Sequence, residues 1–155
     1  EMGARALGGR SIIANPLIPD INGIVNRRVK RREYWRPFCP SVASESRFAY
    51  FEPSLELPFM IVSSRATDQL SDAAPSIVHI DGTVRPQTVN EKIQPAWHHL
   101  LKCVESHTGH PIVLNTSFNV RGEPMVCTPH DAIKDFFSTG LDALAIEDFL
   151  VVKKN

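Results

Sequence analysis

Residues 111–124 read Pro-Ile-Val-Leu-Asn-Thr-Ser-Phe-Asn-Val-Arg-Gly-Glu-Pro. The apolar run at 111–114 is short and rich in β-branched residues, which fits a buried strand. It delivers a loop of small hydrogen-bonding side chains, Asn115, Thr116, Ser117 and Asn119, followed by the charge of Arg121 and the turn freedom of Gly122. Open α/β sheets gather their ligands beyond strand ends. A polar turn closed by its own Asx bonds is the bland alternative for this loop.

The surroundings set the class. Upstream, Pro95 opens a helix with Leu100, Leu101 and Val104 on its buried face, stopping at Gly109. Downstream, Thr128 caps a helix whose Ile133, Phe136 and Phe137 are expected to face the core before Gly140 ends it. Residues 143–146 and 149–152 read as closing strands. Nearer the start, 59–64 and 76–80 are strand-like, and Asp81-Gly82 turns the second of them into 83–89. The result is a single α/β (α+β) domain with no internal repeat.

Residues 26–40, Asn-Arg-Arg-Val-Lys-Arg-Arg-Glu-Tyr-Trp-Arg-Pro-Phe-Cys-Pro, gather Arg27, Arg28, Lys30, Arg31, Arg32 and Arg36 in one place. Like charges at helical spacing repel, so such a run favours an anionic counterpart over self-stability. Asp20 is positioned to cap a helix with Ile21, Ile24, Val25 and Val29 inside, which puts Arg27, Lys30 and Arg31 on other faces. Pro37 disfavours helical geometry at Arg36 and holds it extended between Trp35 and Phe38. A solvated basic helix accounts for Arg28 and Arg32 but poorly for Arg36.

Bulk properties narrow the partners. The 155 residues balance 17 Lys/Arg against 17 Asp/Glu, yet residues 1–36 hold eight basic against three acidic groups. Neutrality argues against a general nucleic-acid coat, and the local excess argues for a focused anion site. Cys39, Cys103 and Cys127 are isolated and odd in number, as expected of reduced thiols in a cytoplasmic protein. His98, His99 and His107 lack two-histidine metal spacing, so no protein-held metal is expected. His79 reads as a half-buried strand histidine. Residues 1–14 bring Arg5 and Arg10 beside Gly3, Gly8 and Gly9, an arginine fork suited to phosphate or carboxylate. No Walker loop is present. With neither a nucleophile–base pair nor paired carboxylates, such a site acts by positioning phosphates and neutralising charge.

Four segments, Glu-Met-Gly-Ala-Arg-Ala-Leu-Gly-Gly-Arg-Ser-Ile, residues 26–42, His-Ile-Asp-Gly-Thr-Val-Arg-Pro-Gln-Thr-Val and residues 111–129, resemble in order the C-terminal domain of the O-carbamoyltransferases that act on nodulation factors and antibiotics. The family pattern usually has Pro where Ala4 stands and Asn at Gly9. The resemblance implies a YrdC-like fold, a twisted mixed sheet flanked by helices around a basic nucleotide site. It implies ATP, with Mg²⁺ carried on the phosphates, and carbamoyl phosphate as substrates of a carbamoyl-adenylate-forming half-reaction. A preceding ATPase-like catalytic domain, to which residues 1–14 lead, would then pass the carbamoyl group to a substrate hydroxyl. By motif, Lys30 and Arg36 would grip phosphate and carbamoyl oxygens. Arg5, Arg10 and Arg85 would hold the nucleotide, with Asn115, Thr116, Ser117, Asn119 and Arg121 on carbamoyl phosphate or the adenylate. Competing expectations are an RNA-binding YrdC-like module and a domain silent without its partner; salt dependence separates the first from a buried nucleotide site.

Overall fold

The computed structural model describes residues 6–153. In chain order they form β1 (Ser11–Ala14), α1 (Ile21–Val25) running into one π-helical turn (Asn26–Lys30), β2 (Cys39–Ala43), a 3-10 segment (Ser44–Ala49), β3 (Phe51–Glu52) and β4 (Ser64–Ala66). Then follow α2 (Asp68–Ala73), a second 3-10 segment (Pro75–Ile77), β5 (Thr83–Val84), β6 (Gln87–Val89), α3 (Pro95–Thr108), β7 (Ile112–Ser117), α4 (Pro129–Ser138), β8 (Ala143–Ile146) and β9 (Phe149–Val152). The chain is an α+β domain built on a mixed four-stranded sheet, ordered β1-β7-β2-β6. Strand β7 runs antiparallel to β1 and β2, while β6 runs parallel to β2. Strands β3-β4-β5 form a small antiparallel sheet, and β8-β9 a separate hairpin.

Strand β7 is apolar on consecutive residues because both of its faces are covered. Ile112 and Leu114 join Ile12, Val25, Val42 and Phe136 in the main core. Val113 points the other way, to Ala43, Val89 and Leu101 beneath α3. Each such side chain contributes about 1.5–3 kcal/mol of burial. The flanking signals act as their chemistry dictates. Gly109 takes the left-handed conformation that ends α3, and Thr128 with Asp131 forms a reciprocal capping box on α4.

Several expectations are corrected. Asp20 is itself left-handed and makes no cap bond; its carboxylate goes to Arg27 at 2.8 Å. Residues 59–63 are irregular, leaving Phe59 and Ile61 exposed, and the strand begins only at Ser64. Residues 75–77 are a 3-10 segment, Ile80 is fully exposed, and His79 lies beside the turn rather than in a strand. Residues 83–89 are split at Arg85-Pro86, so that β5 and β6 serve different sheets, with β6 on an edge where proline is tolerated. On α4 the buried face is Ala132, Asp135 and Phe136, which turns Ile133 and Phe137 outward.

One glycine ties the segment before β1 to α3. Gly8 has φ +117°, and a Cβ there would lie 2.9 Å from the Trp97 ring. Gly8→Ala is expected to cost about 2 kcal/mol through backbone strain and overpacking. A urea midpoint equal to that of the parent chain would rule out this contact.

Candidate functional site

The sheet's topology gathers most of the predicted residues. Because β7 runs opposite to β1 and β2, and β6 runs with β2, the residues before β1, β2 and β6 meet those leaving β7 at one end of the sheet. Arg10, Arg36, Arg85, Ser117 and Asn119 all occupy such positions. Alternation then sorts them by face. Asn115 pairs with Cys39 and Ile13, and Ser117 pairs with Ser11, so these share one side. Thr116 faces the opposite side, opposite Ile12. Arg10 does too, and its guanidinium donates to the Val126 carbonyl at 3.1 Å. Arg5 lies outside the described residues.

On the Asn115 side a polar layer crosses the sheet. Asn115 Nδ2 donates to Ser41 Oγ (2.9 Å) and Gln87 Oε1 (3.0 Å), and Ser41 Oγ donates to the same Gln87 oxygen at 2.6 Å. Gln87 Nε2 in turn reaches the Leu7 carbonyl and Gln94. One atom is left over: Asn115 Oδ1 is buried and accepts no hydrogen bond. A buried acceptor without a partner costs about 1–3 kcal/mol, so it is poised for a donor. The Arg85 guanidinium nitrogens lie 3.1 and 3.3 Å from Cys39 Sγ, on the residue paired with Asn115. Nothing local in the sequence links Gln87 and Ser41 to Asn115.

Lys30 departs from its expected place. It is only 4% exposed, not on an outer face. The π-helical turn, with its i→i+5 bonding, widens the helix so that Asn26 and Lys30 point inward beside Val25 and Val29. Its ammonium donates to the Ser117 carbonyl (2.8 Å), the Asn119 carbonyl (2.8 Å) and Asn119 Oδ1 (2.6 Å), with Ser117 Oγ at 3.4 Å. Lys30 therefore fixes the course of the loop that leaves β7. Burial, and then the Arg32 and Arg36 charges, lower its pKa to about 8, with Asp135 opposing.

Arg36 is exposed, with its guanidinium 3.8 Å from Glu33. Glu33 also lies 3.9 Å from Arg121, so one carboxylate links the two arginines across the loops. The Glu33 carboxyl is held below its ordinary range by its own backbone N–H, with Arg121, Arg36 and Arg32 adding to this. Trp35 is exposed and does not enclose Arg36. Arg32 is the residue that stacks on Phe38, 4.7 Å from the ring centroid, and its Nε donates to Asn26 Oδ1 at 2.6 Å, so it is not a freely solvated charge. Asn26, fully buried, also donates to the Tyr34 and Arg36 carbonyls at 3.1 and 2.9 Å. Its only trace in the sequence is a lone amide amid arginines, four residues before Lys30.

The arrangement presents cationic and amide donors with one orphan acceptor at a sheet end. Among the described residues no three His, Cys, Asp or Glu side chains are grouped to hold a metal ion. No helix there is long and apolar enough to cross a membrane.

A family model described as the carbamoyltransferase C-terminus matches residues 1–153. An uncharacterized protein of Methanocaldococcus jannaschii is 47% identical over 154 residues, covering 99% of this chain and 25% of its own length. Nodulation protein NolO of Bradyrhizobium diazoefficiens is 41% identical over 157 residues, covering 99% and 29% respectively. Nodulation protein U of Rhizobium tropici is 37% identical over 122 residues, 79% of this chain and 21% of that protein. The chain thus spans about a quarter of the length of these relatives.

Proposed function

The chain belongs to the carbamoyltransferase C-terminus family, and from that premise we propose that it is the part of a larger carbamoyltransferase that binds ATP and carbamoyl phosphate and forms carbamoyl-adenylate. The reading extends to a YrdC-like arrangement of the sheet and to transfer of the carbamoyl group onto a substrate hydroxyl by the rest of the polypeptide. The observation that supports it is the pairing of unlike groups at one place. Arg85 suits anionic oxygens, while the buried, unpartnered Asn115 Oδ1 suits an N–H donor. Carbamoyl phosphate offers both, an anionic phosphate and an amide NH₂.

The balanced sequence is short. Water adds to the phosphorus of carbamoyl phosphate, releasing phosphate, a proton to solvent, and carbamate. A carbamate oxygen attacks the α-phosphorus of Mg²⁺–ATP, and the bond to the departing pyrophosphate breaks. Charge builds on the phosphoryl oxygens and on pyrophosphate, where fixed cations stabilise it without reorganisation. Arg36 and Arg85 supply that charge. Lys30 sets the loop carrying Ser117 and Asn119 and adds a buried positive charge behind it. The metal arrives with its nucleotide, as part of the substrate.

The test is pyrophosphate release from Mg²⁺–ATP by this chain. Release should require carbamoyl phosphate. Arg36→Ala and Arg85→Ala should each weaken binding by about 1.5–3 kcal/mol, the worth of a charged hydrogen bond. Arg28→Ala, an exposed residue, should leave binding within about 0.5 kcal/mol of the parent. Failure to bind either substrate would sink the assignment.

A further inference from the structure

The four-stranded sheet stops at β1, and what lies beyond that edge is a cleft of about 1320 Å³. Single small-ligand pockets are about 300–1,000 Å³, so this space is generous for one small molecule. On its far side stands the β8–β9 hairpin. All four residues of β8 line the cleft, whereas β9 contributes only Leu150, so β8 is the hairpin's cleft-side strand. Among the described residues it pairs only with β9. The cleft therefore has an open strand edge on each side.

The hydrogen-bond phase of β1 shows which groups are free. Phe118 N–H donates to the Arg10 carbonyl at 2.9 Å, making 10 and 118 a bonded pair. In an antiparallel ladder bonded pairs recur at every second residue, so Ile12 and Ala14 also face β7. Ser11 and Ile13 then turn their N–H and C=O toward the cleft. The walls are apolar, with Ile12, Ile13, Leu144, Ile146 and Leu150 among the lining residues. Trp97 also lines the space, and its indole N–H is buried without an acceptor. An exposed apolar strand edge is an aggregation hazard that folded proteins cover or pair.

We propose that this cleft receives an extended strand from the remainder of the same carbamoyltransferase polypeptide, joining β1 to β8 in one continuous sheet, β6-β2-β7-β1-strand-β8-β9. The occupant is assigned to the same chain because the relatives that match 99% of this sequence carry about three quarters of their length outside the match. Tethered polypeptide of that kind meets the open edges at high effective concentration. Main-chain bonds to Ser11, Ile13 and β8 supply the pairing, alternate apolar side chains fill the walls, and a strand carbonyl meets the Trp97 indole. None of this depends on the adenylate chemistry.

Amide hydrogen exchange tests it. The isolated chain is compared with a hybrid in which it replaces the matching quarter of the Methanocaldococcus jannaschii relative. The amides of Ser11, Ile13 and β8 should exchange at least about tenfold more slowly in the hybrid. Ile13→Pro, which deletes one outward N–H, should return β8 to fast exchange. Equal rates in both proteins overturn the proposal, and so does slowing in the isolated chain that grows with its concentration, since the occupant is then a second copy. Should the hybrid not fold, overlapping peptides tiling the unmatched part of that relative are titrated into the Trp35→Phe chain. A peptide that shifts Trp97 emission and slows exchange at Ser11 and Ile13 supports the strand; a complete set without effect rejects it.

Discussion

Lys30→Met is expected to destabilise the chain by about 3 kcal/mol at pH 7 and to abolish carbamoyl-phosphate-dependent pyrophosphate release. Methionine matches the stem in length and burial, so the loss is that of the ammonium alone. The carbonyls of Ser117 and Asn119, with Asn119 Oδ1, would lose the donor that holds them at 2.6–2.8 Å. Stranding such acceptors costs about 1–3 kcal/mol each, offset in part by water reaching the half-exposed loop. Denaturant unfolding reads the first effect. A variant of parent stability would mean the loop holds its course without Lys30.

The same residue carries a pH signature. Its pKa falls from 10.5 in the unfolded chain to about 8 in the fold, chiefly through burial. Between those values the unfolded state binds more protons than the native state, so stability rises with pH. The gain is fully present above 10.5, fades as pH falls, and is gone below about 8. At about 1.36 kcal/mol per unit it amounts to roughly 3 kcal/mol. Subtracting the Lys30→Met curve removes the contributions of other groups. The stability gap between the parent and Lys30→Met should therefore widen from pH 8 upward, and a flat difference would show that the charge is not desolvated.

What was legible in the sequence was local. The strand within 111–114, the helix from Pro95 to Gly109, the Thr128 cap and the two closing strands each rest on signals within a few residues of themselves. The contacts that build the site are not local. Lys30 meets Ser117 across 87 residues, and Gln87 meets Asn115 across 28, so no window of sequence contains them. Helical periodicity failed at Lys30 because it assumes a uniform turn, and the π-helical turn breaks that assumption. It failed at Ile133 and Phe137 because Asp135 occupies the buried face of α4 in their stead. The basic run raised the expectation of an anion site but did not show its division of labour. Lys30 and Arg32 are spent on architecture, while Arg36 stands free enough to meet a ligand.

Asn26→Ala should be nearly as damaging as loss of Lys30, costing about 3 kcal/mol, though the residue touches no expected ligand. Its amide nitrogen holds the carbonyls of Tyr34 and Arg36, and its oxygen holds Arg32 beneath Phe38. Those bonds fold the 32–36 segment back against the π-helical turn and so fix where Arg36 begins. Removing them strands two carbonyls and a guanidinium in a part-buried segment and leaves a gap where the amide was fully buried. Asn26→Asp separates the two halves of the role. It keeps an acceptor for Arg32 but sets carboxylate oxygen against the two carbonyls, so it should lose the placement of Arg36 while retaining more stability than alanine. The decisive measurement is a double-mutant cycle on carbamoyl phosphate binding. If Asn26 acts through Arg36, Asn26→Ala adds little once Arg36 is alanine, giving a coupling of about 1 kcal/mol or more. Additive losses would make Asn26 a stabiliser of the fold alone.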